Sequence, residues 1–469
     1  MYKVPDKHFF RLHQVRPRFK TDVESVLLYM SNQIVRLEPG ACADFNTELS
    51  KSIRLFPGNA TKKPKTIENW RTEISALFGL VVEDSQNDIV YPGELAKILS
   101  ESEDLVQFFK YFLFNFQYPG GHIKSHKLKA VIDEGIKFKP AQYILRVLSA
   151  GEDFYGDRFG INKAEATHLI YNDLQVTRDN TEPQNVAEKM VENRFKKVSY
   201  DWRGDVVRYA GDILDYLTIA DLLVQHGNMY YINWNDRESV TSFLESDRWF
   251  AGYDRFFQTD FDVSELHFIE PDWFAFINSD LSDEMFKTDL LKYLGVEADG
   301  YETLVQGAIE EFEKDFKGAA THTTKDIGDF GESLVLGHEC MRVTNGGRKD
   351  LIHLIKKIPT ALAVGYDIQS IELNEIKRYI EVKSTVSRKP LTVYNFHLTR
   401  NEWGSAQTLK DTYYVYRLMI SKEQKKLFLL QDPVQKYKDD LINMTIRDGA
   451  DVTFSDKSGE WEELLLWKK

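Results

Sequence analysis

The stretch from Val364 to Thr385, VGYDIQSIELNEIKRYIEVKST, constrains the fold more than any other. Two runs rich in β-branched and aromatic residues flank the polar Asn374-Glu-Ile-Lys377, the pattern of a β-hairpin. Strand alternation puts Glu381 and Lys383 on one face of the second arm, and Asp367 falls on the first. TVYNFHL then reads as a third strand. Thr399-Arg-Asn-Glu402 reads as a capping box opening a helix through Trp403 and Ala406, and TYYVYRLMI and KLFLLQD return to strands. Ahead of the hairpin, KDIGDFGESLVLGHECMRV has the period of a helix with Ile327, Phe330 and Leu334 on one side and Glu332 on a neighbouring face. LIHLIKKI also reads as helical, so no strand is assigned between that helix and Val364.

Glu-x-Lys spacing selects nothing by itself, because Glu375, Glu381 and Glu423 each begin such a tripeptide. Glu375 sits in the turn and Glu423 in the polar break SKEQKK. Only Glu381 lies inside a β-branched run with an aspartate on the preceding strand. Two carboxylates converging from adjacent strands, Asp367 and Glu381, can hold a hard divalent cation such as Mg²⁺ or Mn²⁺, with the Val382 carbonyl as a further ligand. Such a cation polarises a phosphodiester and acidifies a bound water. Lys383 can then orient or deprotonate that water and offset developing negative charge, while Glu332 reaches the site from the helix. The alternative at this point is a plain cross-strand ion pair of Lys383 with Asp367 or Glu381.

The N-terminal half carries a different pattern, in which a helix leads directly into a hairpin. TIENWRTEISALFGL repeats Ile67, Trp70, Ile74 and Leu77 at helical spacing, with Thr66 as the expected N-cap, and VVEDSQNDIVYP follows as a hairpin. Residues 184–225 hold two helical patterns, the second being GDVVRYAGDILDYLTIADLLV, before QHGNMYYIN supplies a hairpin turning at Gly227-Asn228. Helix then hairpin is the order of a winged helix. Lys62, Lys63 and Lys65 lie just before the first helix, where its N-terminal dipole also favours phosphate, and Arg203 and Arg208 lie beside the second. The aromatic run FFKYFLFNFQYP between them reads as core.

The net charge of −13 argues against a nucleic-acid partner only until its distribution is considered. Residues 1–65 hold 12 Lys+Arg against 6 Asp+Glu, whereas residues 245–317 hold 19 Asp+Glu against 6 Lys+Arg. A basic head can meet phosphates while an acidic segment faces elsewhere. Cys42 and Cys340 are too few for a disulfide framework or a cysteine zinc site, and no run approaches the roughly 18 to 20 apolar residues of a membrane span. A cytoplasmic protein with no membrane partner is expected.

Gly331-Glu332, Gly365-Tyr366-Asp367 and Glu381-Val382-Lys383-Ser384-Thr385 together resemble the PD-(D/E)xK nucleases of the Mrr-like branch, with Tyr366 where that family usually has proline. RTEISALFGL, the hairpin ending Val90-Tyr91-Pro92, and the segment Phe108 to Lys129 resemble the recognition domain of the BpuJI type IIS restriction endonucleases. These resemblances imply an α+β N-terminal half with two winged-helix subdomains and an α/β restriction-endonuclease-like C-terminal domain. The expected boundaries are 1–125 for the first winged helix with its basic arm, 126–180 for a helical connector, 181–285 for the second winged helix, 286–320 for an acidic helical linker and 321–469 for the nuclease domain.

Function follows as an expectation: a Mg²⁺-dependent endonuclease that reads an asymmetric duplex site and cuts at a distance from it. The catalytic residues would be Asp367, Glu381, Lys383 and Glu332. By resemblance the DNA-reading arm would be Arg11, His13, Arg16, Arg18 and Lys20, and the first recognition helix would present Asn69 and Arg71. Double-strand cleavage implies a homodimer through the nuclease domain, at least on DNA, and a cognate methyltransferase would protect host DNA. The rivals are a modification-dependent or structure-specific nuclease, and a non-catalytic winged-helix regulator.

Overall fold

The computed structural model describes residues 1–14, 17, 19, 22–84, 87–156, 159–279, 281, 286–290, 293, 327–359, 362–392, 394–446 and 448–465. The expected acidic linker and the linker sequence GAATHTT therefore lie largely outside the described residues. The chain forms two compact units, one comprising 1–101 and 105–286, the other comprising 102–104 and 287–469.

In the first unit, α1 (Val23–Ile34), α2 (Cys42–Leu55) and α3 (Pro64–Thr72) precede a π-helical turn at Glu73–Leu77. The expected helix thus starts two residues early and loses its α-helical form at Glu73. Pro64 occupies its first turn and Lys63 its N-cap, so Thr66 caps nothing. Proline is preset for a first helical turn, and that signal outweighs the threonine. Strands β1 (Val81–Asp84) and β2 (Ile89–Pro92) form the expected antiparallel hairpin, Val81 opposite Pro92.

Next come α4 (Leu105–Asn115), α5 (Ser125–Asp133) and α6 (Pro140–Tyr155). Phe108, Phe109, Tyr111, Phe112, Phe116 and Tyr118 are all buried, as the reading of this run as core requires. A short β3 (Ile161–Asn162) is followed by α7 (Pro183–Phe195), α8 (Arg208–Ile219) and the hairpin β4 (Leu223–His226) and β5 (Met229–Ile232). β3 adds to β5, giving a three-stranded sheet in the order β3-β5-β4. The hairpin turns at Gly227-Asn228, with Gly227 at φ +61°.

The second unit opens with α9 (Ile327–Asn345), which buries Ile327, Phe330 and Leu334. LIHLIKKI departs from its helical pattern: a 3-10 turn at Lys349–Leu354 is followed by β6 (Lys356–Lys357). β6, β7 (Ile368–Ile371), β8 (Lys377–Val386), β10 (Tyr413–Ile420), β11 (Lys425–Gln431) and β14 (Glu460–Glu463) build a six-stranded sheet in the order β14-β11-β10-β8-β7-β6. β7 and β8 are antiparallel, whereas β8 and β10 are parallel, Glu381 opposite Val415 and Lys383 opposite Arg417.

A parallel pair needs a crossover. Here it is made by β9 (Tyr394–Leu398) and α10 (Arg400–Leu409). β9 belongs to a separate three-stranded sheet with β12 (Asn443–Ile446) and β13 (Ala450–Phe454). Phe396, Leu398, Ala406, Tyr413, Val415, Phe428, Val452 and Phe454 share one core cluster with elements of both sheets, and Tyr379 packs against it.

Candidate functional site

β7 ends its pairing with β8 at Ile368 opposite Ile380. Beyond that point one edge of β8 loses its β7 partner, and Asp367 takes over: its Oδ2 accepts the Val382 N–H at 2.8 Å, while its own N–H donates to the Ile380 carbonyl at 2.9 Å. Asp367 thus precedes β7 rather than lying inside it. In an extended residue N–H and C=O face the same side, so the Val382 carbonyl is directed to the edge where Asp367 sits. Gly365, at φ +76°, lets the chain turn into this position; a Cβ there would meet the Asn401 carbonyl oxygen on α10 at 2.5 Å.

Glu381 and Lys383 project from the same face of β8. Lys383 Nζ donates to Glu381 Oε1 at 2.6 Å and to Glu402 Oε2 at 3.0 Å. Glu381 is nearly inaccessible, its side chain 4% exposed, whereas Lys383 is 21% exposed. Burial pushes the Glu381 carboxyl well above its usual range, with Lys383 opposing and Asp367 and Glu402 adding to the rise. Burial also raises Asp367, against the Val382 N–H and Lys383. Lys383 is disfavoured by burial, yet Glu381 and Glu402 outweigh this and hold it above the ordinary lysine value. Glu402 is itself lowered, because Lys383 and the Thr399 N–H overcome the cost of its burial.

Glu332 lies on α9 and makes a 2.8 Å ion pair with Lys357 of β6, whose Nζ also donates to Asp329 at 3.1 Å. Burial and the Asp367 charge push Glu332 up to about 7, with Lys357 opposing. Asp367 is therefore the common electrostatic neighbour of Glu332 and Glu381. Among the described residues no three His, Cys, Asp or Glu side chains gather closely enough to hold a metal ion. Asp367 and Glu381 act on one another electrostatically, and Asp367 Oδ2 is held on the Val382 N–H; carboxylate and carbonyl oxygens are the hard donors that Mg²⁺ takes while keeping several waters. Glu381 is buried, and Lys383 only partly offsets the cost of its charge.

The sequence reading passed over Lys357 and Glu402. Glu402 carried a visible signal, its capping-box position, which gave no reason to place it beside Lys383.

The basic residues of the first unit fall into two groups. Arg11, His13 and Arg208 meet around Tyr209: His13 Nδ1 lies 3.0 Å from the Tyr209 hydroxyl, which also accepts from Arg208 Nη2 at 3.2 Å, and the Arg11 guanidinium sits over the tyrosine ring. Arg11 Nη2 donates to the Asp205 carbonyl. Burial, with Lys127, Arg11 and Arg208 adding positive charge, lowers His13 to about 4. Lys127 was not anticipated, and it lines a cleft of about 300 Å³ with Phe10, Arg11 and His13. Arg16, Arg18 and Lys20 lie outside the described residues.

The second group surrounds α3. Lys62, Lys63 and Lys65 are exposed, and Asn69 is half-buried. Arg71 reaches Ser50 Oγ at 3.4 Å and lines a cleft of about 490 Å³ with Asn46, Thr47, Lys51 and Arg54. Arg203 is exposed and paired with Asp201 at 2.6 Å.

One unit carries basic clefts and the other acidic side chains around a strand lysine. The chain belongs to the family described as the N-terminal part of the restriction endonuclease BpuJI, whose model matches residues 2–274. Residues 331–430 match a second family model, described as the C-terminal part of Protein NO VEIN. A solved structure of the BpuJ1 endonuclease binding domain in complex with pyrene- and phenanthrene-modified DNA is similar in fold, with TM-score 0.52 and 24% identity over 59% of this chain and 100% of that one. No curated protein matches the chain.

Proposed function

We propose that the chain is a sequence-specific DNA endonuclease with the layout of a type IIS restriction enzyme, in which the first unit binds an asymmetric duplex site and the second cuts at a distance from it. The observation that carries the catalytic part is the meeting of Asp367, Glu381 and Lys383 at the edge of β8, within the resemblance to PD-(D/E)xK nucleases. Recognition is supported by family membership, by the two basic groups, and by the two helix-then-hairpin units, which have the order of winged helices. The second of these includes the added strand β3.

Asp367, Glu381 and the Val382 carbonyl would hold Mg²⁺. When bound, it would supply Lewis acidity toward a phosphodiester and its attacking water. The Asp367 bond to the Val382 N–H holds that carboxylate against the strand edge. Lys383 keeps its proton, held by two carboxylates, and so acts as a cation that orients the nucleophile and stabilises charge on phosphate oxygens rather than as a general base. Glu332 keeps Lys357 beside Asp367. One such site cuts one strand, so two copies pair on DNA to cut both, and a methyltransferase guards host sites.

The test is Mg²⁺-dependent digestion of mixed-sequence DNA, unmodified and methylated, with sequencing of the ends. A fixed motif with constant offsets is expected. Asp367→Ala and Lys383→Ala should abolish cutting and leave duplex affinity unchanged. Cutting confined to methylated DNA would replace the restriction layout with a modification-dependent one. Absence of Mg²⁺-dependent nicking on either DNA would refute the enzyme.

A further inference from the structure

Lys383 has four methylenes between backbone and charge, so its position depends on what holds the ammonium. Of three N–H donors, one goes to Glu381 and one to Glu402. The third has no protein partner among the described residues, and the side chain is 21% exposed. Glu381 belongs to the donor set assigned to the cation and cannot serve as the ammonium's only anchor. Glu402 lies outside that set. Its Oε2 is fixed independently, because the Thr399 N–H donates to it at 2.9 Å while Thr399 Oγ1 accepts from the Glu402 N–H at 3.4 Å. The carboxylate itself is tied to its own helix end by the Thr399 backbone N–H, a bond that does not depend on the threonine side chain. α10 in turn packs against β9 and β10.

We propose that Glu402 is a positioning residue that holds the Lys383 ammonium at the site, so that the capping box of α10 doubles as the clamp of the lysine. The catalytic consequence rests on the nuclease function proposed above. The positioning itself does not.

The substitution that separates clamp from cap is Glu402→Gln. Glutamine still accepts the Thr399 N–H but carries no charge for Lys383. Thr399→Ala does the reverse, removing the hydroxyl cap and keeping the carboxylate. In the full-length protein without divalent cation, amine acylation followed by peptide mass spectrometry should label Lys383 several-fold faster in E402Q than in wild type, and at the wild-type rate in T399A. With Mg²⁺ and saturating DNA, E402Q should lose on the order of tenfold or more in kcat with KM little changed, T399A should stay near wild type, and E402Q/K383A should be no slower than K383A. Equal labelling of Lys383 in E402Q and wild type overturns the clamp. Full kcat in E402Q, where K383A is dead, overturns its catalytic role. A wild-type protein that cuts no DNA removes the nuclease function and that role together, while the labelling rates still decide the clamp.

Discussion

Gly331→Ala tests how the Gly331-Glu332 pair works. A Cβ at Gly331 would lie 2.9 Å from Ser384 Cβ on β8 and closer still to Ser384 Oγ, with Leu418 Cδ2 at 3.6 Å. The hydroxyl can rotate away, but the Cβ moves only with the strand. Ser384 Oγ is already shielded and has no hydrogen-bond partner among the described residues. Two opposing magnitudes follow. Alanine in place of glycine inside a helix stabilises by about 1 kcal/mol, and overpacking costs roughly 1–3 kcal/mol. The net effect of G331A should therefore be a loss of up to about 2 kcal/mol. In a Ser384→Gly background the clash is gone, and the same change should stabilise by about 1 kcal/mol relative to S384G alone. Urea unfolding read through hydrogen exchange in α9 and β8 peptides isolates this unit from the other. Relief of the clash by moving α9 also carries Glu332 away from Lys357, and a displacement of about 1 Å at a catalytic centre costs on the order of 100-fold in rate. G331A that stabilises equally in both backgrounds would refute close packing as the reason for glycine.

Two further outcomes can be measured. Replacing Lys62, Lys63 and Lys65 by alanine should reduce the slope of log affinity against log salt by about 0.9 for each phosphate no longer neutralised, and a triple variant with unchanged slope would remove α3 from the DNA interface. Glu332 has a folded-state value of about 7, above its ordinary 4.5. The folded state therefore holds a proton that the unfolded chain releases, and stability should fall as pH rises from about 4.5 to 7, by roughly 3 kcal/mol at most. In EDTA, Glu332→Gln should flatten that decline and exceed wild type at pH 8; a parallel decline in both proteins would contradict the assignment.

The strand bearing Glu381 and Lys383 was legible because its β-branched run is bounded by polar turns and sits centrally between β7 and β10. α9 was legible from the burial period of Ile327, Phe330 and Leu334. Thr66 misled because a threonine near a helix start is a cap only where the chain is still extended, and Pro64 had already begun the helix. β6 was illegible for its brevity: two lysines after a 3-10 turn carry no alternation, and only pairing with β7 makes them a strand. β9 was read correctly as a strand but belongs to a second sheet, which local pattern does not specify. Glu402 was visible as a cap, and its proximity to Lys383 depends on the crossover that returns the chain from β9 through α10 to β10. The gathering of Arg11, His13, Arg208 and Lys127 is equally non-local, since Tyr209 is the hub and nothing in the spacing of these residues announces it.

The parallel pairing of β8 with β10 bears on biosynthesis. No short turn can close such a pair, and its non-local pairings form late because loop closure precedes them. On a ribosome, β8 emerges with Glu381 and Lys383 before β9, α10 and β10 exist, and β13, part of the core cluster beside β10, comes later still. A nascent or truncated chain ending before Thr399 has neither the clamp nor the central strand pair. For the nuclease proposed above, this order of assembly would keep the blade unformed until nearly the whole unit has been made.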